Sequence, residues 1–483
     1  MTKHAVYGLW INNKEIVDPS RQKESVDPSN NQPWMVATQA SKGEVDQAVN
    51  AARQALKGPW GSMPIADRVG LLHKLASLLR EDAERLADIE CLDTGKLLGG
   101  ALIEMKRAAD YIDYYAGVAR AFEGVHIEIS PTRTGTVVPR PRGVVAAITP
   151  FNGPVTLTLW KLAPALATGN TIIIKPSPET PATPGELGRL AAKAGFPPGV
   201  VNILYGDTEI GEVLVTHPGV DCVAFTGSSE VGRKIAAAAA SSLKHVLVEG
   251  GGKSAFVVFD DASIDLAIKN AVNGVFGSTG QTCVAGSRML IHRPIYDQFV
   301  DKMVSVAKAF RVGNPRDVQT QMGPLTTRDQ IGRIDKLLST VGADGGKIVA
   351  GGHLSNAPDL QAGNYYLPTL ITGVSNNAEV SQREFFGPVG VILPFSDEDE
   401  AVEIANGTPF GLAVGIWTEN IRRANRVSRQ MQAGTVWVNC YRAFEHTLPF
   451  GGFKQSGLGR ENGMAALREY TQLQTIINDF SPK

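Results

Sequence analysis

Cysteine is scarce, with four residues, Cys91, Cys222, Cys283 and Cys440, in a chain of 483. They are too few and too scattered for a disulfide framework, and no Cys-x-x-Cys pair offers a zinc site. No metal is expected, and a reducing, cytoplasmic setting is. Net charge is nearly absent too: 47 basic residues stand against 48 acidic ones. No basic field is available to hold nucleic acid or an anionic membrane, so neither is an expected partner. Unbroken apolar runs are also missing. Residues 143–160 carry no charge, yet Pro150, Asn152, Gly153 and Pro154 interrupt them. That pattern reads as strand, loop and helix, not as a membrane span. The opening Met-Thr-Lys-His leads into Tyr7, Gly8 and Trp10 without a signal-like apolar core.

What is present is ordinary globular material, 43% hydrophobic and 20% charged, long enough for two or three domains. Helical spacing marks residues 44–56 and 66–90, so the first hundred residues read as largely helical. A β-rich patch at 126–139 alternates Ile127, Ile129, Val137 and Val138 around a turn at 130–134. Short apolar runs at 144–149, 171–174, 200–204 and 222–225 then alternate with helical windows at 160–167, 186–194, 209–215 and 231–240. Strands at that rhythm predict a parallel sheet with helical crossovers, an α/β doubly wound architecture. A second series follows, with strands at 255–258, 288–292, 390–394 and 413–417 and helices at 295–309 and 398–405. Near the end come a helix at 465–469 and a strand at 473–477. Two α/β domains with a cleft between them is the economical reading.

Four segments carry candidate chemistry. In Phe225-Thr-Gly-Ser-Ser-Glu-Val-Gly232 a strand runs into a helix through glycine. Such a helix start can receive a phosphate, although a plain strand-to-helix turn is the more common explanation of such a sequence. Cys283 follows a Gly/Ser/Thr run, a turn or helix start where a thiolate can be exposed; Cys91 and Cys222 read as buried small hydrophobes. Glu249 lies between an apolar strand and Gly250-Gly-Gly252. It is either a loop carboxylate or a general base with its pKa raised by partial burial. Asn152 and Lys175 fall at the carboxyl ends of the first two predicted strands, where parallel sheets bind ligands. An amide there can donate to an oxyanion, and an ammonium can bond ribose hydroxyls or phosphate.

Taken together, these segments resemble the aldehyde dehydrogenase superfamily over nearly the full chain. The matching runs include Thr149-Pro-Phe-Asn152, Ile173-Ile-Lys-Pro-Ser177, Gly280-Gln-Thr-Cys283, Glu384-Phe-Phe-Gly-Pro-Val389, Thr435-Val-Trp-Val-Asn439 and Pro449-Phe-Gly-Gly-Phe-Lys-Gln-Ser-Gly457. The resemblance implies a modified Rossmann cofactor domain (1–121 and 141–250), a catalytic α/β domain (251–453) and a β-strand oligomerisation arm (122–140 and 464–483). It also implies a homodimer or homotetramer. It makes Cys283 the nucleophile, Glu249 the base that activates water, and Asn152 with the Cys283 N–H the oxyanion hole. NAD, with NADP admissible, would be held by Ile148, Thr149, Pro150, Phe151, Lys175, Ser177, Gly211, Phe225, Gly227, Ser228, Val231, Gly251, Glu384 and Phe386. The aldehyde tunnel would be lined by Gly153, Leu157, Trp160, Thr282, Val284 and Phe444. Arg442 at its mouth is either a solvated loop charge or the anchor of an anionic tail, which would favour a semialdehyde or another polar aldehyde.

Two positions depart from the family pattern. Gly250 stands where leucine usually follows the base. Pro178 stands where many NAD-preferring members carry glutamate, which removes a reason to exclude the 2′-phosphate of NADP. The implied reaction is oxidation of an aldehyde to the acid through a cysteine thioester that water resolves. The alternatives are resolution of the thioester by CoA, which the presence of Glu249 opposes, and a non-catalytic binding or structural protein on the same fold.

Overall fold

The computed structural model describes residues 5–482, so the opening Met-Thr-Lys-His lies outside the described residues. Five parallel strands form the heart of an eight-stranded sheet. In spatial order they are Val201–Ile203, Thr171–Lys175, Val144–Ile148, Cys222–Thr226 and His245–Glu249. The first of them in sequence is central. The chain winds outward on one side, then returns past that strand to build the other. This reversal opens a crevice beyond the carboxyl ends of Val144–Ile148 and Cys222–Thr226, the place where such sheets bind ligands.

The helices between these strands follow the apolar windows but begin earlier. Pro154–Ala167 starts at a proline, whose missing N–H costs nothing in the first turn. Ser229–Ala240 starts behind Ser228, whose side chain accepts the Val231 N–H at 3.3 Å. Reading the first hundred residues as largely helical needs correction. Helices begin only at Lys42, and five short strands precede them: Ala5–Tyr7, Leu9–Ile11, Lys14–Ile16, Gln22–Asp27 and Gln32–Thr38. Three of these span only three residues each, too short to show periodicity; Ala5–Tyr7 and Leu9–Ile11 pair with strands far along the chain, and Lys14–Ile16 pairs with Leu9–Ile11. The window at 66–90 is likewise two helices, Ile65–Glu81 and Ala83–Thr94, broken at Asp82.

A second sheet of seven strands places Thr369–Thr372, Val389–Phe395, Arg288–His292, Ala255–Val258, Ala413–Trp417 and Thr435–Val438 in parallel order, with Lys347–Ala350 antiparallel at one edge. Its inner strands are buried, so they read as continuous apolar runs. A third sheet, Val125–Ser130, Arg133–Pro141 and Thr471–Asp479, is antiparallel and exposes Val125, Ile127, Ile129, Leu473 and Ile477. No described helix is long and apolar enough to cross a membrane, and no cluster of metal-ligating side chains occurs among the described residues.

Candidate active site

The loop after Val144–Ile148 carries Thr149, Pro150, Phe151 and Asn152 into the helix at Pro154. Asn152 donates from Nδ2 to the Gln281 carbonyl at 2.9 Å, which fixes the amide beside the Cys283 turn. Gln281 is itself held, its Oε1 accepting the Thr326 N–H at 3.0 Å. The backbone before Cys283 is bent sharply: Ser278 and Thr279 adopt φ of 55° each, and Gly280 follows at 67°. Positive φ is costly for side-chain-bearing residues, and runs of it mark sites held by their surroundings.

Glu249 ends the last parallel strand and faces Cys283. It is 1% exposed, and neither carboxylate oxygen has a hydrogen-bond partner. Burial pushes its carboxyl up to about 8, against the pull of Lys161 and of the Cys283 thiol. The thiol in turn lies well above the usual thiol range, first through burial and then through the negative charge of Glu249. Both groups therefore hold their protons readily at neutral pH, a resting arrangement with a neutral carboxyl facing a neutral thiol. Gly250 fits tightly. A β-carbon there would lie 2.7 Å from Ser229 Oγ, which accepts the Gly251 N–H at 3.2 Å.

The residues expected to hold a dinucleotide gather around the ends of these parallel strands. Lys175, 5% exposed, runs its stem along Gly211 and Ile148, and burial lowers its ammonium to about 8. Gly227 is packed against the Phe225 ring, where a β-carbon would come within 2.5 Å, and Ser228 caps the helix that follows. Val231 is exposed on that helix's first turn, and Ser177 is half-buried beside Pro178. Across the crevice Phe386, at φ 50°, sets its ring edge-on to Phe151 with centroids 5.4 Å apart. Glu384 lies along the glycine run, accepting the Gly252 N–H at 3.3 Å and crowding Gly251. A buried ammonium, a helix N-terminus and a carboxylate in that order suit ribose hydroxyls, a pyrophosphate and a second ribose. The donor set fits a nicotinamide dinucleotide.

Of the residues expected to line the aldehyde tunnel, Trp160 meets Phe444 edge-on at 6.3 Å, and it also meets Phe450 at 5.3 Å. Gly153 leaves room filled only by Leu157, and Thr282 is 8% exposed. Val284 is 0% exposed, and its carbonyl accepts the Tyr441 hydroxyl at 2.9 Å. Arg442 is half-buried and donates to the Asn273 carbonyl and to Ser278 Oγ, at 3.3 and 3.0 Å.

These observations coincide with comparison to known proteins. The aldehyde dehydrogenase family model matches residues 16–476. The chain belongs to the aldehyde dehydrogenase family. It is 39% identical to the 2-hydroxymuconic semialdehyde dehydrogenase of Pseudomonas sp. (strain CF600), covering 98% of each chain. It is 37% identical to the betaine aldehyde dehydrogenase of Bacillus subtilis, covering 98% of this chain and 97% of that one. A crystal structure of betaine aldehyde dehydrogenase from Staphylococcus aureus in complex with NAD+ superposes with a TM-score of 0.97. The two share 34% identity, over 99% of this chain and 96% of that one.

Sequence reasoning missed one buried ion pair of this aldehyde dehydrogenase that acts on Glu249. Lys161 donates to Glu461 at 2.7 Å and to Thr226 Oγ1 at 2.7 Å, with the Lys161 and Glu461 side chains 0% and 1% exposed. Lys161 lowers and Glu461 raises the Glu249 carboxyl. A lone lysine in the apolar helix Pro154–Ala167 was the signal available in the sequence.

Proposed function

We propose that this enzyme oxidises a small polar aldehyde to the carboxylic acid, with NAD+ as the hydride acceptor and NADP+ admissible. The observation that carries the reading is the convergence of Asn152, Glu249 and Cys283, from three separate segments, on one point of the crevice. The cofactor would lie against Lys175, Gly227, Ser228, Glu384 and Phe386, where its nicotinamide supplies the hydride acceptor.

The chain's own residues supply the rest. Cys283 Sγ adds to the aldehyde carbon once its proton has left, and Asn152 Nδ2 with the Cys283 N–H receives the oxyanion. Loss of hydride from that carbon leaves a thioester on Sγ. Glu249 takes a proton from water, the hydroxide attacks the thioester, and the acid departs as the thiolate is restored. Fixing Asn152 on Gln281 means the oxyanion donor is oriented before substrate arrives, the condition for electrostatic preorganisation.

The two-domain division at about residue 250 and the arm are supported by the three sheets: the first lies before that boundary apart from its edge strand Gly457–Leu458, the second lies after it, and the third combines 125–141 with 471–479. The arm's exposed apolar residues support a homodimer or homotetramer. Free cysteines and balanced charge support a cytoplasmic location.

Absorbance assays of NADH formation over a panel of aldehydes, with and without CoA, test the reading. Turnover without CoA that is lost in Cys283→Ala, while cofactor binding persists, supports it. CoA-dependent turnover, or none with any aldehyde, overturns it.

A further inference from the structure

One buried charge plays no part in this chemistry. Lys253 closes the glycine run that Glu249 opens; it is 1% exposed, and its ammonium has no hydrogen-bond partner. It stands 4.5 Å from the centroid of the Phe385 ring, and Phe385, 3% exposed, adjoins Glu384 in the chain. The residue before Lys253 gives its N–H to Glu384 Oε1. The segments 252–253 and 384–385 are thus joined at two points, a backbone hydrogen bond from Gly252 to Glu384 and a cation–π contact of Lys253 with Phe385, which sets the Lys253 ammonium and the Glu384 carboxyl in one buried neighbourhood. An unpaired ammonium in a protein interior is expensive, and a nearby carboxylate is the ordinary way to offset it.

We propose that Lys253 is a positioning residue, the internal counter-charge that holds Glu384 ionised and in place for the nicotinamide ribose. This rests on the assignment of Glu384 to the cofactor. Two charged groups face Lys253: Glu384, which favours the ammonium, and Arg288, which opposes it. Arg288 is committed elsewhere, donating to the carbonyls of Lys253, Ile404 and Ala405 and to Asn376. Glu384 is faced by Lys253, and its own charge reaches Glu249 and Cys283. Burial brings both groups to about 7, the ammonium from above and the carboxyl from below. Cofactor affinity should therefore rise with pH through neutrality as Glu384 ionises, and Lys253 should set where that rise falls.

The test is the dissociation constant of NAD+, measured by calorimetry from pH 6 to 9 on intact enzyme. Lys253→Met and Lys253→Gln are expected to weaken binding about tenfold at pH 7 and to move the rise about one unit toward alkaline pH, with convergence on wild type above it. Lys253→Arg, which keeps the charge, restores most of the affinity. In a Glu384→Gln background the Lys253 substitutions add less than about twofold, because coupled residues are not additive. A loss of equal size in both backgrounds, or an unshifted pH profile, overturns the counter-charge. Unchanged NAD+ affinity in Glu384→Gln alone overturns instead the assignment of Glu384 to the cofactor, and the proposal with it.

Discussion

The guanidinium of Arg442 occupies the space that a side chain at residue 277 would need: a β-carbon on Gly277 would lie 2.6 Å from Nη1. The niche turns Arg442 inward. Among the described residues no carboxylate lies within ion-pair reach of it; a backbone carbonyl and a serine hydroxyl receive its protons. Its charge acts on Cys283, lowering the thiol, while burial lowers the guanidinium itself. A half-buried guanidinium held only by neutral partners keeps its charge available, which makes the anionic-tail reading the one to test against the solvated loop charge.

An aldehyde with a carboxylate tail should therefore gain from Arg442. Arg442→Ala is expected to lower kcat/KM for succinic semialdehyde by about 10- to 100-fold, the worth of a hydrogen bond to a charged group, and to leave hexanal and betaine aldehyde nearly unchanged. Comparing the three substrates checks it. A preference for hexanal that the substitution does not alter defeats the anionic-tail reading.

Asn152→Ala removes one oxyanion donor and frees the Gln281 carbonyl. A fall in kcat of about 10²- to 10³-fold is expected, with NAD+ affinity retained. Pre-steady-state measurement of the first turnover locates the loss in acylation.

Glu249→Gln should spare acylation and stall hydrolysis. Removing its charge removes the second cause, after burial, of the raised Cys283 thiol, so the thiolate forms more easily. Stopped-flow traces should show one burst of NADH per site and then very slow turnover. In wild type the hydrolytic step should fail as pH drops below about 8, where Glu249 takes up its proton, and reach a plateau above. Absence of a burst would tie Glu249 to activating the thiol.

Lys161→Met strands Glu461 without its partner in the interior. Breaking a buried pair costs about 3–5 kcal/mol, which denaturant unfolding would register. Lys161→Met/Glu461→Leu should recover much of that loss, because no charge then remains unpaired.

The sequence by itself determined the α/β class, the parallel rhythm of the core strands and the candidacy of Cys283, Glu249, Asn152 and Lys175. Each leaves a local mark: an apolar run of strand length, a glycine at a turn, a polar residue at a strand's end. Tertiary structure decided which candidates meet and in what state of charge. Lys161 and Glu461 lie 300 residues apart and Arg442 and Ser278 lie 164 apart, so no window of sequence contains either pair. Burial of Glu249 was legible only as partial; its near-complete exclusion from water depends on the strands Cys222–Thr226 and Gly457–Leu458 that flank it. Local pattern follows backbone geometry, which a few residues set, whereas pairing and proton affinity follow what the whole fold packs against a side chain.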